Sequence, residues 1–171
     1  MGTAGSALEG LVVHPEAERL IEELGLEPHP EGGYFIETYR SAVCVDAESG
    51  TRDALTSIYY LLTGDAFSAF HRLTSDEIWH HYRGAPITLE TLDVDGDYRS
   101  FVIGDGERWQ AAIPAGVWFA AHVADPASYA LIGCDVARGF EFDDFELASR
   151  AELLQEFPQH ASLIERWTSV D

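Results

Sequence analysis

Between residues 34 and 136 the sequence consists of short strand-like segments that recur about every ten residues. Each segment is rich in aromatic and β-branched residues, and Gly, Asp or Pro separates it from the next. The predicted strands are Tyr34–Tyr39, Leu55–Thr63, Ala66–Leu73, Glu77–Tyr82, Ile87–Leu92, Tyr98–Ile103, Gln110–Ile113, Phe119–Val123 and Tyr129–Asp135. Many short strands at such intervals are typical of a sandwich or barrel, so we predict an all-β fold.

Short helices are predicted on either side of these strands. Pro15 suits the first position of a helix, and Gly25 is the residue at which that helix ends. Ser149 and Glu152 form a capping box before a second helical segment, which restarts at Pro158. No repeat, linker or low-complexity tract separates these segments. We therefore predict a single domain over residues 1–171.

The charge balance is strongly acidic. The 171 residues include 30 acidic and 10 basic side chains, which gives a formal net charge of −20, and all ten bases are Arg. Nucleic acids and anionic membranes bind proteins through clustered Lys and Arg, so neither is an expected partner. Two explanations of this composition stay open, a host that lives at high salt and a host with a GC-rich genome.

The sequence carries no recognisable signal for export or membrane insertion. No apolar run approaches the roughly 18 residues that a membrane span needs, and the first ten residues lack a basic segment followed by an apolar one. Cys44 and Cys134 are too few for a disulfide framework and lack the spacing of metal ligands. We expect a cytoplasmic protein with two reduced thiols and a flexible leader at residues 1–13.

Two segments contain the residues that point to a function. The first runs from Gly64 to Gly84 and contains His71 and Glu77, and the second contains the triplet at residues 114–116, Pro-Ala-Gly. Their order and spacing resemble the two motifs of the cupin superfamily, a histidine–glutamate motif framed by glycines and a Pro-x-Gly motif. The resemblance implies a metal site built from three His and one Glu.

The sequence departs from that metal site. Leu73 and Phe119 stand where the second and third His are expected, so only His71 and Glu77 remain of the usual ligands. Zinc and non-haem iron normally need three protein ligands even in an open site. We therefore predict no cofactor, with a weakly bound divalent metal on His71, Glu77 and His81 as the alternative.

A longer series of segments resembles one subfamily, the small cupins called cupin-5, formerly a domain of unknown function. The resembling segments are residues 29–35, 39–41, 58–62, 71–73, 75–80, 114–121 and 139–146. The resemblance implies a double-stranded β-helix, or jelly roll, at residues 30–146, with helices at 14–26 and 149–168. It also implies a dimer and a relationship in fold to sugar-nucleotide epimerases, cupins that work without a metal.

Strand alternation predicts which side chains face the interior. Residues two apart share a face of a strand, so we place His71 and Glu77 in one pocket. We predict that His71, Glu77 and Tyr60 are catalytic and that Glu77 pairs with His71 or Arg40. The predicted ligand contacts are Arg40, Tyr59, Phe67, Arg72, Trp79, His81 and Phe119. Because Tyr59 and Tyr60 point in opposite directions, only one of them can line the pocket.

Such a pocket is compatible with three functions. The first is a metal-independent isomerase or epimerase acting on a sugar-like or other small polar metabolite, in which His71 removes a proton, Glu77 orients it and a tyrosine returns one. The second is a non-catalytic protein that binds or senses a small molecule. The third is a metal-dependent oxygenase or isomerase with a non-standard site.

The strand Tyr34–Tyr39 also predicts an assembly. Its apolar side chains are unsuited to a free sheet edge, which proteins usually cover or pair. A two-fold contact buries the same patch on both copies, so we predict a homodimer whose interface includes residues 34–41. Because each subunit carries −20, the dimer is expected to tighten as salt screens the repulsion.

Overall fold

Two facing antiparallel sheets confirm the predicted all-β jelly roll. The computed structural model describes residues 14–47, 50–64 and 66–169. The helices are α1 (Pro15–Leu24), α2 (Arg150–Glu156) and α3 (Ala161–Trp167), with short 3-10 turns at Phe142–Asp144 and Pro158–His160. The strands are β1 (Glu27–Pro28), β2 (Tyr34–Arg40), β3 (Cys44–Ala47), β4 (Gly50–Asp53), β5 (Leu55–Thr63), β6 (Phe67–Leu73), β7 (Asp76–Gly84), β8 (Ile87–Leu92), β9 (Tyr98–Ile103), β10 (Gln110–Ile113), β11 (Trp118–Val123), β12 (Tyr129–Ala137) and β13 (Phe145–Leu147).

The strand order is that of a jelly roll, in which neighbouring strands of each sheet are mostly not consecutive in the sequence. One sheet has six strands in the order β1-β2-β5-β12-β7-β10, and the other has five in the order β13-β6-β11-β8-β9. Strands β3 and β4 form a separate hairpin. Consecutive strands β5, β6 and β7 alternate between the two large sheets, which brings side chains from distant parts of the chain into the space between them.

Alternation along the strands divides the apolar side chains among three clusters. The interior cluster between the sheets contains Tyr60 and Phe119. Their chain neighbours Leu61 and Trp118 face outwards, where Leu61 packs with residues of α1 and Trp118 packs with residues of α2 and α3. The flanking helices therefore cover the outer faces of the two sheets and leave the interior to the strands.

The helix ends have the predicted capping residues. At the start of α1, the His14 ring accepts a hydrogen bond from the Glu16 amide at 3.2 Å, which gives one of the first amide groups of the helix a partner. Gly25 ends α1 with φ at 67°, a conformation that glycine adopts without strain. Ser149 caps α2 by accepting from the Glu152 amide at 3.4 Å, as the capping box predicts.

Four short strands are absent from the predicted set. β1 and β13 are two and three residues long, which is too short for an alternating pattern to show in the sequence. β3 and β4 pair only with each other and lie outside the two large sheets. The predicted leader at residues 1–13 lies outside the described residues. No helix in the described ranges is long and apolar enough to cross a membrane.

Candidate functional site

A cavity of about 130 Å³ opens between the two sheets. Strands β2, β5, β6, β7 and β12 supply its walls, together with the loop before β2 and the segment 140–145. The lining side chains are those of His29, Glu31, Phe35, Glu37, Arg40, Thr56, Ile58, Tyr60, His71, Leu73, Glu77, Cys134, Val136, Phe140, Glu141, Phe142 and Phe145. Apolar walls with a few polar groups are the usual composition of a small-molecule site.

His71 is the buried polar group at the centre of the cavity wall. It lies on β6 opposite Phe119 of β11 and is 2% exposed. Its Nδ1 is 2.7 Å from the carbonyl oxygen of Ala69, so Nδ1 carries a hydrogen and donates it. Its Nε2 is 3.2 Å from Oε2 of Glu31. The His71 ring and the Glu31 carboxyl are therefore within ion-pair distance in the cavity wall.

Glu31 reaches His71 because its loop is pressed against β6. The Glu31 carbonyl accepts from the Ala69 amide at 2.9 Å, and Ser68 Oγ donates to Glu31 Oε1 at 2.9 Å. Gly32 follows with φ at 116°, and a side chain there would overlap the Phe67 carbonyl, so the close approach requires glycine. The loop fixes a carboxyl group against an imidazole.

His29 lies on the other side of Glu31. Its Nδ1 accepts from the Glu31 amide at 3.3 Å, which leaves the ring hydrogen on Nε2. Burial lowers the pKa of His29, and the nearby Glu31 carboxyl opposes this only in part. His29 is therefore a neutral imidazole in contact with the edge of Phe35, with ring centroids 4.7 Å apart.

Glu77 is a second buried carboxyl group without the partner that the sequence predicts. Burial, reinforced by the charge of Glu31, raises the pKa of Glu77 to about 8. No hydrogen bond reaches its Oε2 from the described residues. His71 pairs with Glu31 and Arg40 pairs with other acids, so the expected pairing of Glu77 with either is corrected. Glu77 is protonated at neutral pH and lies next to Cys134 and Trp79.

Arg40 lies at the cavity mouth and is surrounded by acids. Its guanidinium group donates to Glu37, Asp53 and Glu141 at 2.8 to 3.0 Å and to the Phe140 carbonyl at 3.2 Å. The hydrogen bonds to Glu37 and Asp53 raise its pKa further above the usual range. Its donors are therefore occupied by the protein itself.

Comparison with known proteins assigns the family. A model described as the cupin superfamily, DUF985, matches residues 18–148. The chain belongs to this cupin family. An uncharacterised protein of Saccharomyces cerevisiae is 34% identical to this cupin, and the match covers 74% of this chain and 72% of that protein.

Solved structures agree with the assignment. A hypothetical protein from Leishmania major is 38% identical with a TM-score of 0.85 and covers 90% of this cupin and 99% of that chain. A protein from Shewanella oneidensis is 36% identical with a TM-score of 0.84, over 91% and 98% of the two chains. Oxalate decarboxylase from Bacillus subtilis is 14% identical with a TM-score of 0.55, over 84% of this cupin and 37% of that chain. That last likeness shows the fold alone.

The donor atoms of this cupin do not fit the metal site of the superfamily. Leu73 and Phe119 occupy two of the histidine positions, and His71 Nε2 is engaged by Glu31. His81 is four residues from Glu77 along β7, a span of about 13 Å at the rise of an extended strand. Within residues 14–47, 50–64 and 66–169, no three or more His, Cys, Asp or Glu side chains are grouped to hold a metal ion. The prediction of no cofactor stays a prediction.

Five of the other predicted site residues lie in the cavity wall or directly behind it. Tyr60 lines the cavity and donates its hydroxyl hydrogen to the Gly32 carbonyl at 2.8 Å. Phe119 and Trp79 lie behind His71, with ring centroids of His71 and Phe119 4.1 Å apart and those of Trp79 and Phe119 5.9 Å apart. Glu77 and Arg40 line the cavity.

Four predicted contacts lie elsewhere. Tyr59 faces outwards against Tyr82, with ring centroids 6.0 Å apart, as the alternation with Tyr60 requires. Arg72 is on the outer face of its sheet, where it pairs with Glu146 at 2.7 Å and covers the Trp118 ring. Neither Tyr59 nor Arg72 lines the cavity, so the structure does not bring them together with the other predicted contacts.

Phe67 and His81 also lie outside the cavity, each for a different structural reason. A bulge between β6 and β11 pairs Ser68 with Ala121 and Phe67 with His122, so Phe67 turns outwards and packs on Trp167. His81 points inwards but lies against Gly104, with its Nε2 donating to the Ala85 carbonyl at 2.9 Å. Neither residue lines the cavity.

Sequence reasoning missed Glu31, His29 and the phenyl groups of segment 140–145. Glu31 and His29 belong to the segment 29–35, which carries the family resemblance but none of the predicted site residues. The pattern His-Pro-Glu-Gly-Gly does contain a signal, because two polar side chains precede a glycine pair that permits close approach to another strand.

Proposed function

We propose that this cupin binds a small polar metabolite in the cavity and moves a proton on it without a metal, as an isomerase or epimerase does. The observation that carries the proposal is the contact of 3.2 Å between His71 and Glu31, both nearly fully buried in the wall of the cavity of about 130 Å³. A His–carboxylate pair in a cavity is a common arrangement for general acid–base catalysis.

The His71–Glu31 pair is the proposed base. Because Ala69 fixes Nδ1 of His71 as a donor, His71 can exchange a proton with a ligand only through Nε2. Ser68 holds the other carboxyl oxygen, so the pair keeps one orientation. In the proposed step, a C–H bond next to a carbonyl group breaks and its proton goes to Nε2 of His71, beside the Glu31 carboxyl. The electron pair moves onto the carbonyl oxygen.

Glu77 is the proposed acid, in place of the predicted tyrosine. Its pKa of about 8 keeps it protonated at neutral pH, so it can donate to the carbonyl oxygen on which charge develops. Burial raises the pKa of Tyr60 well above its usual value, and its hydroxyl already donates to Gly32. Tyr60 therefore serves to hold the Glu31 loop against β5.

Deuterium exchange tests the proposal. The protein is incubated in deuterated water with panels of aldoses, ketoses, hydroxy acids and amino sugars, and loss of C–H signals is followed by proton NMR. We expect one class to exchange, and expect Glu31→Gln and His71→Gln to slow that exchange by about 10²-fold or more. His122→Gln is the matched control, because that ring lies on the outer face of the sheet.

Deuterium exchange, thermal melting and elemental analysis together separate the alternative functions. A compound that raises the melting temperature yet never exchanges a proton indicates a binding or sensor protein. Exchange that persists in both Glu31→Gln and His71→Gln contradicts the proposed base. Elemental analysis of protein purified without an affinity tag addresses the metal-dependent alternative, for which we expect less than about a tenth of an equivalent of metal.

A further inference from the structure

We propose that the ligand of the cavity carries a positively charged nitrogen, as a small amine or quaternary ammonium compound does. This inference rests on the proposed use of the cavity as the ligand site and specifies the ligand's chemical class. Three independent features support it: the charges at the mouth, an unpartnered carboxyl oxygen inside, and the phenyl groups that line the wall between them.

The mouth of the cavity repels anions. Arg40 is the sole Lys or Arg among the described residues that line the cavity. Three carboxylates, those of Glu37, Asp53 and Glu141, contact its guanidinium group at 2.8 to 2.9 Å. The acids outnumber the base three to one, and Glu37 and Glu141 are 40% and 49% exposed. A phosphate or carboxylate group would meet excess negative charge and no free donor from Arg40.

The interior contains a carboxyl oxygen without a hydrogen-bond donor. Oε2 of Glu77 is buried and receives no hydrogen bond from the described residues, and leaving such an atom unpaired is costly. Glu31 is the other buried carboxyl group among the described residues that line the cavity. An ammonium group would supply the donor that Oε2 lacks, while the hydrogen on the other oxygen of protonated Glu77 stays available for the proposed acid step.

Aromatic side chains form the wall between mouth and interior. Phe140, Phe142 and Phe145 contact one another with ring centroids 5.1 to 6.3 Å apart and planes at 62° to 81°. Rings set at such angles present faces in several directions. Phe142 is 56% exposed, so its ring can be reached from the solvent. Faces of aromatic rings attract organic cations electrostatically.

A matched set of probes tests the inference. Choline is compared with 3,3-dimethylbutan-1-ol, which has the same shape without the charge, and with inorganic phosphate. Binding is followed by backbone amide NMR at about 0.5 M NaCl, where nonspecific attraction to the acidic surface is screened. We expect choline to shift cavity residues at millimolar concentration and to bind at least about tenfold more tightly than the alcohol. Phosphate is expected to leave the cavity signals unchanged.

Variants identify the groups responsible. Phe142→Ala and Glu77→Gln are each expected to weaken choline binding about threefold to tenfold. Trp109→Ala is the matched control, because that ring is 58% exposed and lies outside the cavity. It should leave binding unchanged.

The outcomes distinguish this inference from the proposed function. If the alcohol or phosphate binds in the cavity as tightly as choline, the charge assignment is overturned while the ligand site stands. If choline shifts only residues outside the cavity, the assignment of the site is overturned as well. Absence of any choline binding at about 10 mM overturns the inference.

Discussion

The five-stranded sheet carries a His–Glu pair on each face, and the two pairs have different surroundings. The cavity pair consists of His71 and Glu31, which are 3.2 Å apart. The covered pair consists of His122 and Glu90, which are 3.1 Å apart on the outer face. The same residue types at nearly the same separation thus occur in two settings that differ in their other hydrogen-bond partners and in their access to a ligand.

Neighbouring side chains bond to or cover both members of the covered pair. Tyr98 donates to Glu90 at 2.7 Å, and the His122 ring stacks on Trp167 of α3 with centroids 4.1 Å apart and planes at 9°. Burial raises the pKa of Glu90, but the hydrogen bonds from His122 and Tyr98 outweigh it, so the pKa lies below its usual value. This pair holds the C-terminal helix against the sheet.

The cavity pair is open to a ligand and has an unsatisfied neighbour. Glu77 lines the same cavity with a raised pKa and an oxygen that has no hydrogen bond among the described residues. Charged groups that stabilise a fold are satisfied, whereas groups held for chemistry are left partly unsatisfied at a cost in stability. The difference supports the proposal that the cavity pair is functional, and it is consistent with a structural role for the covered pair.

The largest expected effect of this difference is on Glu77. The unfolded chain ionises Glu77 near pH 4.5 and the folded protein near pH 8, so the folded state binds more protons between these values. Its contribution to stability is complete below pH 4.5 and is lost as pH rises to about 8. Glu77→Gln should therefore be more stable than the native protein by about 2–4 kcal/mol at pH 8.5.

Urea denaturation at pH 5 and pH 8.5 measures this effect. The variant and the native protein should have nearly the same free energy of unfolding at pH 5. A difference between them that is the same at both pH values would mean that Glu77 is not a buried, protonated carboxyl group.

A smaller effect of opposite sign is expected at Glu90. Its folded pKa lies below the unfolded value, so its contribution is present above the unfolded pKa and is lost as the pH falls through the folded pKa. Glu90→Gln should lower the free energy of unfolding by about 1 kcal/mol near pH 7 and have little effect near pH 3. Denaturant titration of both proteins at the two pH values provides the measurement, and a variant as stable as the native protein at pH 7 would contradict a structural role for the covered pair.

Sequence patterns predicted the strands and most of the inward positions. Alternation placed His71 and Glu77 in one cavity because both lie on long strands with clear apolar neighbours. It failed at Phe67, where a bulge shifts the register by one residue. A bulge depends on pairing between two strands, so the pattern along a single strand does not contain it.

Strand alternation and motif spacing did not predict the partner of His71. Glu77 was expected to pair with His71, since the two lie on successive strands and match one motif. The partner is Glu31, which comes from a loop before β2 and reaches the cavity through Gly32 and the Ser68 contact. Such a contact is fixed by tertiary packing of a glycine loop, and spacing in the sequence does not specify it.

Nitrogen-15 spectra of the histidine rings test the central claim most directly, because they report on both pairs in one sample. Spectra are recorded with and without choline at about 0.5 M NaCl. The account predicts that the ring signals of His71 and His29 shift on addition of choline while those of His122 stay in place. Shifts of His122 as large as those of His71, or shifts confined to rings outside the cavity, would contradict the assignment of the cavity pair as the functional one.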